Sequence, residues 1–295
     1  MNNAENILPK KAMLVFFSAS VYTGKKKDNR GNKAVSDKFG NDESIGNFTK
    51  RILPKEKTDK IQKFVSNWRN QVLYKYSTPW LHKGETMVPV ANYNILMDKE
   101  REAKVTFEEY VNEFIAEYSE NKRNQEKLLN GLYQETDYLS EYKLKKKFSW
   151  NIDFYPIPDS GNLLIDIVES SFKDISSNMD KMVQIGIQNS LSSTWKKVFD
   201  AVKALSDKLK ENRTDKEGND VSPIFRDSLI ENIRDLVNLL PSLNIINDPA
   251  LEQARIDLEN DLSGIDPDDL RESKETRHEI VQKADKILSD IGKLF

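Results

Sequence analysis

The chain contains no cysteine among its 295 residues. That excludes disulfides, thiol nucleophiles, iron–sulfur clusters and Cys-based zinc sites, and it suits a reducing compartment. Long apolar runs are missing too. The longest, near Ala12–Phe17, is far shorter than the roughly 20 residues that cross a bilayer. The opening MNNAENILPKK is polar and acidic before a brief apolar run, which is unlike a secretory signal. The expectation is a cytoplasmic protein with no membrane partner. Histidine is scarce: His82 and His278 lie far apart and outside any H-E-x-x-H spacing, so both read as surface residues. No G-x-S-x-G elbow exists to anchor a Ser-His-Asp arrangement. Gly24-Lys25 follows an apolar run as in a phosphate-binding loop. The first glycine of that motif is Ala19 here, and Lys26 replaces the Mg²⁺-binding hydroxyl, so the cradle and the metal ligand are both lacking. The run Asp215–Asp220 lacks the alternating ligands and closing glutamate of a calcium loop and reads as a polar turn. No cofactor, metal site or catalytic residue is expected.

What is present is charge and helical periodicity. Apolar residues make up 38% and charged residues 32%, which fits a helical protein with a large solvated surface, while the supply of aromatics argues against disorder. The net charge of −3 hides an asymmetry: residues 1–75 hold 16 Lys/Arg against 7 Asp/Glu, and residues 151–295 hold 18 against 28. A basic front suits an anionic partner, or the two ends complement each other.

Ala12–Tyr22, rich in branched and aromatic residues, reads as a buried strand ended by Gly24. Residues 25–50 read as a long basic loop. Ile61, Phe64, Val65, Trp68 and Val72 define an amphipathic helix over about 55–76. Pro79 and Pro89 bound a packed connection over 76–93, and Asn92 reads as the cap of the next helix. That helix runs toward Gly131, either unbroken or split near Val105, where Thr106 and Glu109 form a capping box. Residues 148–154 alternate Phe148, Trp150, Ile152 and Phe154 with polar residues, a half-buried strand that we pair with the first. Residues 170–211 read as one helix whose Leu191, Trp195, Val198, Val202, Leu205 and Leu209 step by fours and threes, a heptad seam expected to meet the helix ending near Gly131. Ser222-Pro223, Asp248-Pro249 and Asp266-Pro267 announce helices over about 223–240, 249–262 and 267–293, with Pro241 and Gly264 as stops.

The expected fold is mainly α with a small β-sheet: a sheet and long antiparallel helices in a coiled-coil hairpin over 1–211, then a helical bundle over 222–295. Two candidate surfaces follow. Lys25, Lys26, Lys27, Arg30 and Lys33, with Lys143, Lys145, Lys146 and Lys147, would share one rim if the strands pair, and Tyr22, Trp150 and Tyr155 would offer stacking faces for a single-stranded nucleic acid. The competing reading makes the aromatics core and the lysines guards of an edge strand. Trp80 and His82 in the connection, and Leu191, Trp195, Val198 and Val202 on the seam, are candidate contacts for a protein partner or for self-association.

Tyr22-Thr23-Gly24-Lys25, Thr78-Pro79-Trp80 with Gly84, Pro89 with Asn92-Tyr93, and Tyr155-Pro156-Ile157-Pro158-Asp159 resemble an uncharacterised family of tailed-phage proteins over roughly residues 10–170. That family tends to be encoded near MoxR-type AAA+ ATPases or in DNA-metabolism regions. The resemblance implies a phage accessory protein in the host cytoplasm, without enzymatic activity of its own, that acts through protein contacts as an adaptor or subunit of an AAA+ machine. It carries over no catalytic residues.

Overall fold

The computed structural model describes residues 8–162, 168–211, 213–214, 220–221 and 226–292. The protein is mainly α with a small sheet, as expected. It divides into two compact units, and each is built from separated stretches of chain. The first comprises Met1–Val15, Tyr76–Asn94 and Phe154–Phe295; the second comprises Phe16–Lys75 and Ile95–Asp153. Neither coincides with the parts 1–211 and 222–295 read from the sequence.

The main sheet has four strands rather than two or three: β1 (Ala12–Ser20), β4 (Thr78–Pro79), β5 (Glu85–Pro89) and β6 (Ser149–Pro156), in the order β4-β5-β1-β6. The two strands foreseen from the sequence are therefore neighbours, and β6 ends the sheet. The added pair comes from the 76–93 connection. Thr78 pairs with Met87 and Pro79 with Thr86, and both prolines stand where a missing N–H costs least, at strand ends or an edge.

In the first unit, helix Glu169–Leu209 buries Trp195, Val198, Val202, Leu205 and Leu209 in one core with Ile230, Ile233, Leu240, Leu258, Ala284 and Ile287. The seam packs on helices Ser228–Leu243 and Lys274–Gly292, not on the helix ending near Gly131. A smaller core collects Leu8, Leu14, Trp80, Met87, Ile157, Val183 and Ile245. Asp248 and Asp266 cap their helices, accepting from the backbone N–H of Leu251 and Asp268. Pro241 does not stop its helix but lies inside the last turn, and Ser273 in extended geometry splits the expected 267–293 helix into Pro267–Glu272 and Lys274–Gly292. The Ser222-Pro223 cap and most of the Asp215–Asp220 turn lie outside the described residues.

In the second unit, residues 25–50 are not a loop. β2 (Lys25–Lys27) pairs antiparallel with β3 (Thr49–Arg51) around helix Asn29–Phe39, which Asp28 caps at the N–H of Arg30. Helix Lys55–Trp68 continues through a wide π turn, Arg69–Leu73. Helix Val90–Ala116 begins in the first unit and runs unbroken through Thr106, whose Oγ1 donates back to the Glu102 carbonyl. Asn92 lies within that helix and donates to the Tyr76 carbonyl instead of capping. Trp150 sits at the centre of an aromatic cluster, with ring centroids 4.7 Å from Phe17, 4.9 Å from Trp68 and 5.4 Å from Phe107. Among the described residues, no helix is long and apolar enough to cross a membrane.

Candidate functional site

The second unit carries a groove of about 440 Å³ between one helix face and the terminal strand of the sheet. Lys104, Phe107, Glu108, Val111 and Asn112 recur at three- and four-residue steps on helix Val90–Ala116, so they share a face. Phe148, Ser149 and Trp150 line the other wall, and Lys145 closes one end. The floor is apolar: Phe107 is 3% exposed, and Val111 and Trp150 are each 5% exposed. The indole N–H of Trp150 donates to Glu100 Oε1 at 2.9 Å, the acceptor that a buried tryptophan requires. Phe148 packs on Phe114 at 5.4 Å. Lys145 Nζ donates to Asn112 Oδ1 at 3.3 Å, joining helix Glu141–Lys145 to the groove's helical wall.

Two lysines, Lys104 and Lys145, line the groove, and Lys143, Lys146 and Lys147 are neighbours of Lys145 in sequence. All five are exposed, and none forms an ion pair among the described residues. The Lys146 ammonium lies 4.3 Å from the centre of the Tyr142 ring. Groove volume and lining fall within the range of binding pockets, where an apolar floor supplies affinity and a few polar groups supply orientation.

Two other polar clusters are closed. Lys50 is buried, with Nζ 2.7 Å from Asp28 Oδ2 and 2.6 Å from Asp137 Oδ2, and it donates to the Leu132 carbonyl at 2.6 Å. Arg30 forks onto both oxygens of Asp28 and reaches the carbonyls of Gly131 and Leu132. The hydrogen bonds from Arg30 and then Lys50 hold the Asp28 carboxyl well below the usual carboxylate range. In the first unit, Thr78 Oγ1 and Ser190 Oγ share a hydrogen bond of 2.8 Å, and Lys197 Nζ donates to the Ser77 carbonyl at 2.7 Å. Burial lowers the Lys197 ammonium to about 8.

The residues singled out from the sequence divide sharply. Lys143, Lys145, Lys146 and Lys147 lie at the groove or lead into it. Lys25, Lys26 and Lys27 are exposed, but they pair with β3 in a separate two-stranded sheet, so the β1–β6 pairing does not itself bring the two lysine runs together. Lys33 is exposed on helix Asn29–Phe39. Arg30 is engaged by Asp28, which removes it as a free phosphate contact. Trp150 is no stacking face, because its ring is enclosed on several sides by other aromatics. Tyr22 is half-buried, and its hydroxyl is shifted upward by burial and by Asp137. Tyr155 is 51% exposed.

The candidate protein contacts turn inward in the same way. Trp80 is 2% exposed. Trp195, Val198 and Val202 lie in the first unit's core with Leu191 packed against it, so the seam is occupied within the chain. His82 remains exposed. The sequence reading missed Lys104, Phe107, Glu108, Val111, Asn112 and Ser149 as groove residues. Phe107 and Val111 fall on a helix foreseen from the sequence, but nothing local places them beside residues about 40 positions onward. No family model, no curated protein and no solved structure matches this chain.

Proposed function

We propose that the protein is a non-enzymatic binding module that acts through protein contacts, with the groove of the second unit as its contact face. The observation that carries this reading is the groove itself: an apolar floor between a helix and a strand, with Lys104 and Lys145 on its lining and neither in an ion pair among the described residues. The well-formed polar clusters elsewhere serve the fold, since their polar groups are already bound within the chain. Following the resemblance to tailed-phage proteins, the partner we propose is a subunit of an AAA+ machine in the host cytoplasm.

The lysines also suit single-stranded nucleic acid, the second reading, but the enclosure of Trp150 leaves that reading without its principal stacking ring. Photo-crosslinking from p-benzoylphenylalanine placed at Asn112 separates the two. A crosslink to an AAA+ ATPase, lost in the Lys104→Glu, Lys145→Glu double variant, supports the proposal. No protein crosslink, together with oligonucleotide binding that falls steeply with salt and vanishes in the same variant, overturns it in favour of nucleic acid.

A further inference from the structure

The edge of β6 specifies how that groove is filled. β6 is the last strand in the order β4-β5-β1-β6, so only one of its two edges is paired. Among the described residues, no backbone hydrogen bond outside the sheet ladder involves residues 149–156. Part of the strand's N–H and C=O groups therefore have no backbone partner among the described residues, which makes a template for a further strand. Most proteins blunt such an edge by covering or bulging it. Here the uncovered edge lies beside a concavity, because Ser149 and Trp150 line the groove with the helix opposite.

We propose that the groove binds an extended acidic segment of a partner protein, which adds to β6 as a fifth strand. This rests on the groove being the protein-contact face and names the occupant's chemistry. The main chain of the segment would pair with residues 149–153. Because side chains alternate along a strand, every second one would enter the groove, where Phe107, Val111 and Phe148 favour an apolar group. Lys104 and Lys145 line the same groove, so an acidic side chain two residues from the apolar one, on the same face of the added strand, would meet them. Lys104 and Lys145, the two lysines on the lining, have no carboxylate partner of their own among the described residues, and Glu108 is the one acid there. A segment with Glu or Asp two residues from Val or Phe satisfies both requirements. A nucleic acid satisfies only the charge, since it has no peptide ladder to offer the strand.

The test uses the full chain and short fluorescein-labelled peptides with Glu placed two residues from Val or Phe. The controls are the same peptide with Lys for Glu and a labelled oligothymidylate. The acidic peptide should bind, the lysine peptide should not, and Lys104→Glu with Lys145→Glu should weaken binding at least about tenfold. Two further peptides carry N-methyl groups on alternate residues, in opposite phase, which removes the strand-forming N–H groups without altering the protein. One phase should lose about tenfold or more in affinity while the other binds nearly normally, because only alternate N–H groups face β6. Hydrogen exchange should slow at alternate amides of residues 149–153.

Equal binding by the two N-methyl phases, or no binding by the acidic peptide, overturns strand addition. If the Asn112 crosslink to a protein persists in that case, the contact face stands and only the mode of docking falls. Oligothymidylate binding alone, abolished by the same charge reversals, overturns both.

Discussion

Lys50 shows how much of this fold rests on single side chains. Its ammonium stands between Asp28 and Asp137 and ties β3 to the carbonyl of Leu132. Replacing it with Met would leave the two buried carboxylates without their shared cation, because Arg30 serves only Asp28. Breaking a buried pair in this way costs about 3–5 kcal/mol, and urea unfolding of Lys50→Met should show a loss of that order. The pH dependence has a defined sign. The Asp28 carboxyl is depressed in the folded state, so its contribution is complete above its unfolded value of about 4. That contribution is lost as pH falls through the lower folded value. Asp28→Asn should remove this part of the acid-side slope while lowering stability at neutral pH.

At the scale of elements, Trp80 packs tightly against helix Glu169–Leu209. A Cβ added at Gly186 would fall 2.4 Å from the Trp80 ring, and Asn189 Nδ2 donates to the Trp80 carbonyl at 2.8 Å. Alanine is the better helix former by up to about 1 kcal/mol, yet Gly186→Ala should destabilise by roughly 1–3 kcal/mol through overpacking. Thermal or chemical unfolding checks the sign, and a gain in stability would show that the ring does not rest there. The elements the sequence disclosed best were those built on apolar periodicity or on a proline after a capping aspartate, such as helix 55–68, β6 and the helices after Asp248 and Asp266. Helix Asn29–Phe39 was illegible for a physical reason: it buries Gly31, Asn32 and Ser36, not an apolar stripe, so neither hydrophobic period appears. The 78–89 hairpin was hidden by its two prolines, which argue against strand everywhere except at the ends and edges where these stand.

At the scale of the molecule, the heptad seam was read correctly as a packing surface, but its partner was misassigned. Spacing reports that a helix must be covered, whereas the identity of the covering helix depends on contacts between residues far apart in the chain. Because Leu205 is fully buried among the first unit's own helices, Leu205→Ala should cost about 2–5 kcal/mol. The unfolding midpoint should also not change with protein concentration, as it would if a second copy supplied the cover. Of the groove, only Lys145, Phe148 and Trp150 were visible in advance, since a charge cluster or an alternating strand needs no tertiary information and a concave wall does. The interleaving of the two units has a further consequence during synthesis. Every stretch of the second unit has been made once residue 153 is added, while the first still awaits residues 154–295. At ribosomal rates of about 5–20 residues per second, that interval lasts roughly 7–28 s. Nascent chains arrested shortly after the second unit clears the exit tunnel would therefore hold a protected second unit beside an N-terminal segment still open to proteases and chaperones.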